Sequence, residues 1–347
     1  MDAFIQKVCE SMKAQWILLG LLCLGLAGCG MDKEISIPSG KAQDQLVENI
    51  KVENYFETGV NREYFTSIPQ RVIVIGANET ETLLDLGVEK TIIGADDGQN
   101  SAHYGIKECN KRKFQALPKI DRRTITSEHM LEIHPDLIIA EQQFFSKRYL
   151  GSTDYWNQKG IYTMVPLNTT SPGKLNQEET VDKEMKYIQD LGKIFHQEMQ
   201  AEKIVNATYD RIQKVRETVA DEPKPKVMIL DKMSILASYG RKKIAGDMVT
   251  SIGGLVPDTM AAVSDEQMMK INPDVVFLVV YRDEESELDW IRNKPAYRNL
   301  NFIKNHRLYG IPLKYVYGPQ TRTIDAIGFM AERMYPGKFH FPKETTF

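Results

Sequence analysis

Short apolar runs rich in β-branched residues alternate along the chain with segments of helical period. Arg71-Val-Ile-Val-Ile75 leads into Gly76-Ala-Asn-Glu-Thr-Glu-Thr-Leu-Leu-Asp-Leu-Gly87, which reads as strand, turn and helix. Asn78 or Thr80 can cap that helix, Glu79 and Glu81 suit its positive end, and Gly87 can close it in a left-handed conformation. Thr91 to Gly94 supplies a second strand, Ser127 to Ile133 a helix, Asp136 to Ala140 a third strand and Tyr162 to Pro166 a fourth. This alternation predicts a parallel, doubly wound sheet, which binds ligands beyond the carboxyl ends of its strands.

From Glu178 to Ala220 the period becomes that of long helices, with Val181, Met185, Ile188, Leu191 and Phe195, then Ile204, Ala207, Ile212, Val215 and Val219. Gly192 is the expected break between two of them. Pro223 and Pro225 stop the second, and Lys226 to Leu230 opens a new strand. Further strands are expected at Asp274 to Val280 and Leu308 to Ile311, and a last helix at Thr323 to Met334. An internal echo ties the halves together. Thr126-Ser-Glu128-His-Met-Leu-Glu-Ile-His-Pro135-Asp136 returns as Ser264-Asp-Glu266-Gln-Met-Met-Lys-Ile-Asn-Pro273-Asp274. Each copy is a capped helix, a proline stop and a strand, so two similar α/β lobes are expected to face each other across a cleft.

At the amino terminus, Lys7 and Lys13 precede the apolar run Trp16 to Gly28. A membrane-spanning helix needs about 20 apolar residues, so the run reads as a signal peptide over residues 1–28. It ends Leu26-Ala27-Gly28-Cys29, which resembles a bacterial lipobox and predicts a lipid-carrying Cys29. A secretory peptide or signal anchor with a chance cysteine is the alternative. Residues 29–66 are then a lipidated tether and entry segment, with a polar tether from about Gly30 to Val60, 67–176 the first lobe, 177–222 linking helices and 223–347 the second lobe.

The 347 residues are 42% hydrophobic and 26% charged, an ordinary folded composition. With 44 Lys plus Arg against 47 Asp plus Glu, the net charge of −3 argues against a nucleic-acid partner. Of the four cysteines only Cys109 lies in the body, so no internal disulfide can form there.

The lipobox, Pro69 to Gly76 running into Asn78 to Val88, the paired Glu to Pro-Asp segments and Arg322-Thr-Ile-Asp-Ala-Ile-Gly-Phe-Met-Ala-Glu332 together resemble the substrate-binding lipoproteins of ABC importers for iron siderophores, haem and cobalamin. The resemblance covers Pro69 to Tyr335. It implies two Rossmann-like α/β lobes joined by one long backbone helix, here within Gln197 to Ala220, with a ligand cleft between them. It also implies an extracytoplasmic, membrane-anchored receptor that hands its cargo to a permease dimer driven by an ATPase, with no catalysis and no cofactor of its own. Glu128 and Glu266 take the positions of the family's permease-docking glutamates; complementing their own helix dipoles is the plainer role.

Candidate cleft residues follow strand ends: Asn78, Phe144, Tyr239, Arg241, Tyr281, Arg282, Tyr315 and Tyr317. Aromatic and cationic side chains suit a flat, anionic ferric siderophore, although each taken singly fits an ordinary surface or core role as well. Haem needs an axial ligand, for which His103, Tyr104 and Tyr239 are candidates; cobalamin is the third cargo of the resemblance. Uptake of bare zinc or manganese is poorly served by six scattered histidines. An anchored enzyme lacks support, there being no G-x-S-x-G, H-E-x-x-H, P-loop or G-x-G-x-x-G. A lipoprotein that keeps the fold without transport is the third class.

Overall fold

The computed structural model describes residues 50–56, 59–96, 105–170, 178–233, 235–258, 262–281 and 284–347. The expected signal peptide, Cys29, His103, Tyr104 and Arg282 lie outside the described residues. The polar tether was expected to run on to Val60, but β1 (Ile50–Phe56) and β2 (Gly59–Phe65) pair as an antiparallel hairpin. Its inward side buries Asn54 and Glu63 beside Val52 and Phe65, so the alternation of apolar and polar positions is lost in the sequence. Those two polar side chains serve the edge of the first sheet. Thr163 donates its N–H to Glu63 Oε1 at 3.2 Å, and its carbonyl accepts from Asn54 Nδ2 at 2.6 Å, which covers an edge strand that would otherwise be open.

The first lobe continues through β3 (Val72–Ile75), α1 (Ala77–Asp85), β4 (Ile92–Asp96), α2 (Lys111–Ala116), β5 (Lys119–Ile120), α3 (Ser127–Ile133), β6 (Leu137–Ala140), α4 (Thr153–Asn157) and β7 (Tyr162–Met164). Its sheet is parallel, in the order β5-β4-β3-β6-β7. The central strands are buried on both faces, as their unbroken Val and Ile runs require. Gly76, rather than Asn78 or Thr80, is the N-cap of α1, and Gly87 closes it at φ +77°.

Two linking helices follow, α5 (Val181–Ile194) and α6 (Glu198–Thr218). The break falls at His196, whose φ is +52°, and not at Gly192. Gly192 sits inside α5 because a Cβ there would come within 2.5 Å of the Ala201 Cβ; the glycine lets the helices touch. α6 reaches both lobes. Gln200 Nε2 donates to the Asp85 carbonyl at 2.9 Å, and Arg211 Nη1 to the Ile324 carbonyl at 2.9 Å.

The second lobe comprises β8 (Val227–Lys232), β9 (Leu236–Ser238), α7 (Ile244–Ser251), α8 (Asp265–Ile271), β10 (Val275–Val280), α9 (Glu284–Arg292), α10 (Asn301–Lys304), β11 (Leu308–Pro312) and α11 (Thr323–Met334). Its sheet, ordered β11-β10-β8-β9, is parallel except for β9, which runs antiparallel to β8. One continuous core joins Val72 and Val74 of the first sheet, the inner faces of α5 and α6, and Val227, Ile229 and Phe277 of the second. Among the described residues no helix is long and apolar enough to cross a membrane.

Candidate functional site

The carboxyl ends of the two sheets meet at a seam. Immediately after β3, Gly76 turns the chain at φ +126°, and a Cβ there would lie 2.0 Å from Glu79 Oε2. Only glycine suits both the backbone and the folded-back carboxylate. One turn on, Asn78 is buried and its amide donates to the Gly318 carbonyl at 3.0 Å, with Lys314 and Tyr317 carbonyls at 3.3 and 3.4 Å. Asn78 and Tyr317 are thus brought together across the lobes, Asn78 through its amide and Tyr317 through its backbone.

Beside that contact Gln320 is a hub. Its backbone is left-handed, φ +48°, which a non-glycine residue adopts only when its surroundings hold it there. Its N–H donates to Glu184 Oε2 at 2.6 Å, its Nε2 to Glu79 Oε1 at 2.9 Å, and its Oε1 accepts from Thr82 at 2.8 Å. Burial raises Glu79 well above the usual carboxylate range, and nearby Glu141 and Glu184 push it the same way. Burial also raises Glu184, to about 7, against the lowering effect of its bonds from Asn168 and the Gln320 N–H. A fully buried Arg322 pairs with Glu81 and donates from Nη2 to the Gly105 carbonyl at 2.6 Å. Glu79 and Glu81 of α1 therefore tie the lobes together, a use that the helix dipole does not reveal.

On the first-lobe side, Asp96 ends β4 and Glu141 follows β6, both buried. Burial raises Glu141, with Gln143 and Arg122 opposing. Arg122, past the end of β5, lies over the Phe144 ring at 5.0 Å and stands 4.0 Å from Asp96. Phe144 is a core residue beneath that guanidinium. Arg122 escaped the sequence reading because β5 has only two residues and gives no strand signal.

On the second-lobe side, Tyr281 and Tyr239 converge. Their hydroxyls donate to Asp231 Oδ2 at 2.8 and 3.2 Å. Burial raises Asp231 although both tyrosines favour its charged form. Tyr317 is half-buried at the seam. Tyr315 is turned elsewhere: it is buried, packs edge-on against Phe329, and its hydroxyl donates to the Lys343 carbonyl at 3.4 Å. Residues beyond β11 turn through a short 3-10 helix, Leu313–Tyr315, which sends Tyr315 away from the other tyrosines. Arg241 is exposed and pairs with Asp258 at 3.2 Å.

Glu128 and Glu266 occupy matching places. Thr126 and Ser264 cap α3 and α8, and His134 and Asn272 end them in left-handed conformations. Both glutamates are exposed, and among the described residues neither carboxylate has an ion pair.

The chain belongs to the periplasmic binding protein family, whose profile it matches over residues 72–315. It is 20% identical over 333 residues to the uncharacterised ABC transporter substrate-binding lipoprotein YvrC of Bacillus subtilis strain 168, covering 93% of this chain and 97% of that protein. Its fold is similar to that of a periplasmic binding protein from Veillonella parvula DSM 2008, with TM-score 0.77 and 24% identity over 83% of this chain and 92% of that one. It is also similar to a protein of the ABC-type Fe3+-hydroxamate transport system of Saccharomonospora viridis DSM 43017, with TM-score 0.65 and 18% identity over 83% and 99%. The family is one of binding proteins and not of enzymes, so the anchored-enzyme alternative falls away.

Proposed function

We propose that this protein is the membrane-anchored receptor of an ABC importer and that its cargo is an iron chelate. The observation that carries the reading is the convergence of Tyr239 and Tyr281 on Asp231 in the second lobe. This is an aromatic, oxygen-rich wall of the kind a ferric complex needs. Arg122, stacked on Phe144 in the first lobe, supplies a guanidinium for the negative charge of such a complex. The Fe3+-hydroxamate system of Saccharomonospora viridis uses the same fold, and the Bacillus relative is named a lipoprotein, in keeping with acylation at Cys29. Glu128 and Glu266, alike in fold and exposure, are the docking points for two basic sockets of the permease.

The test is tryptophan fluorescence of a soluble form lacking residues 1–29, titrated with ferric siderophores, haem and cobalamin. Saturable, tight binding of a ferric siderophore is expected. Preference for haem or cobalamin would replace the cargo but keep the receptor, and no binding across the panel would overturn the iron-chelate reading.

A further inference from the structure

Asp231 is buried, 2% exposed, near the end of β8. Oδ2 accepts from both phenols, while Oδ1 is buried with no hydrogen-bond partner. An unpaired buried acceptor is destabilising, yet the fold keeps one beside two tyrosines. The tyrosines are themselves pinned: Tyr239 N–H donates to the Ile229 carbonyl at 2.9 Å, and Tyr281 N–H to Glu287 Oε2 at 3.1 Å.

The spacing is close to that of neighbouring ligands on a metal. An octahedral ion with bonds of about 2.0–2.1 Å sets adjacent oxygens about 2.8–3.0 Å apart; the two phenol-to-carboxylate distances are 2.8 and 3.2 Å. Anionic oxygens are hard donors suited to a small, highly charged ion, and tyrosinate is an established ligand of ferric iron. Two phenolates and one carboxylate add three hard, anionic donors to those of the chelator.

We propose that Asp231, Tyr239 and Tyr281 bind the iron of the captured chelate directly, filling coordination positions that the chelator leaves open. The inference rests on the iron-chelate reading and narrows it to a ferric complex with adjacent open positions. A hexadentate siderophore has none, and a porphyrin leaves its two on opposite faces. On coordination each phenol releases its proton to solvent, the iron stays ferric, and metal–oxygen bonds replace the two hydrogen bonds to Oδ2.

The full-length protein in detergent is titrated with ferric iminodiacetate, a tridentate complex with three open positions, and separately with hexadentate ferrioxamine. A visible tyrosinate-to-iron charge-transfer band is expected with the first and not the second. It should weaken in Tyr281→Phe, vanish in Tyr239→Phe plus Tyr281→Phe, and be accompanied by at least a tenfold loss of affinity for the open complex. The band is read first on the unmodified protein, so the test does not depend on how the variants fold. Tight binding of ferric chelates without a band, or a band that survives in the double variant, overturns direct ligation and leaves the receptor reading intact. Failure of both complexes and of the siderophore panel to bind overturns both.

Discussion

Arg71 and Lys226 hold equivalent posts in the two lobes. Arg71 donates its backbone N–H to Asp136 at 2.9 Å and its guanidinium to the carbonyls of Ile133 and His134 at 2.7 and 2.8 Å. Lys226 donates its N–H to Asp274 at 2.9 Å and its ammonium to the Ile271 carbonyl at 2.7 Å. In both, a cation neutralises the carboxyl end of the short helix while the aspartate of the Pro-Asp pair seizes the start of the neighbouring strand. The repeated sequence is thus a repeated joint. Asp136→Ala, which strands the N–H groups of Gln70 and Arg71, should cost about 1–3 kcal/mol in urea unfolding; an unchanged midpoint would show that water replaces the carboxylate.

Gly76→Ala places a methyl group on the Glu79 carboxylate at a backbone angle closed to other residues. We expect a loss of at least about 2 kcal/mol, seen as a fall of several degrees in Tm. A variant as stable as the parent would mean that Glu79 swings out freely.

Arg322 is fully buried against Glu81. Arg322→Ala leaves that carboxylate unpaired and should cost about 3–5 kcal/mol, whereas Arg322→Met with Glu81→Gln should recover part of the loss. Equal stability of the single and double variants would dismiss the pairing.

Glu184 titrates near 7 in the folded protein against an ordinary 4.5. Between these values the unfolded chain has lost a proton that the folded chain retains, so this group makes stability fall as pH rises from about 4.5 to about 7. The fall is on the order of 3 kcal/mol. Glu184→Gln should flatten that part of the profile; denaturant unfolding at pH 5 and pH 7.5 compares the slopes, and identical slopes would remove Glu184 as the cause.

Glu128→Ala with Glu266→Ala should leave Tm and cargo affinity within error, since among the described residues neither carboxylate has an ion pair, while uptake by whole cells falls by tenfold or more. Normal uptake would remove both from the docking surface.

The sheets were legible in the sequence because strands buried on both faces leave unbroken runs such as Val72–Ile75 and Val275–Val280. Helices α3, α8 and α11 were legible from their caps and stops. What stayed hidden was buried polarity. Asn54 and Glu63 disguised a hairpin as a tether, and nothing marked Glu79, Glu184 and Gln320 as partners, because one sequence does not show which polar groups will find each other across 241 positions of chain. Tyr239 and Tyr281 lie just past the strand ends from which they were picked, but Asp231, which gathers them, directly follows the apolar run Val227 to Leu230 and looked like its edge.

Clamping α3 and α8 to their sheets has a mechanical result. The aspartate and the cation together hold each helix to its sheet, so the separation of the Glu128 and Glu266 backbone positions follows the angle between the lobes. On the docking role proposed for them, the pair would act like the tips of a caliper: a change of lobe angle on binding cargo would become a change in the gap between two outward charges, which the permease could gauge without touching the cargo.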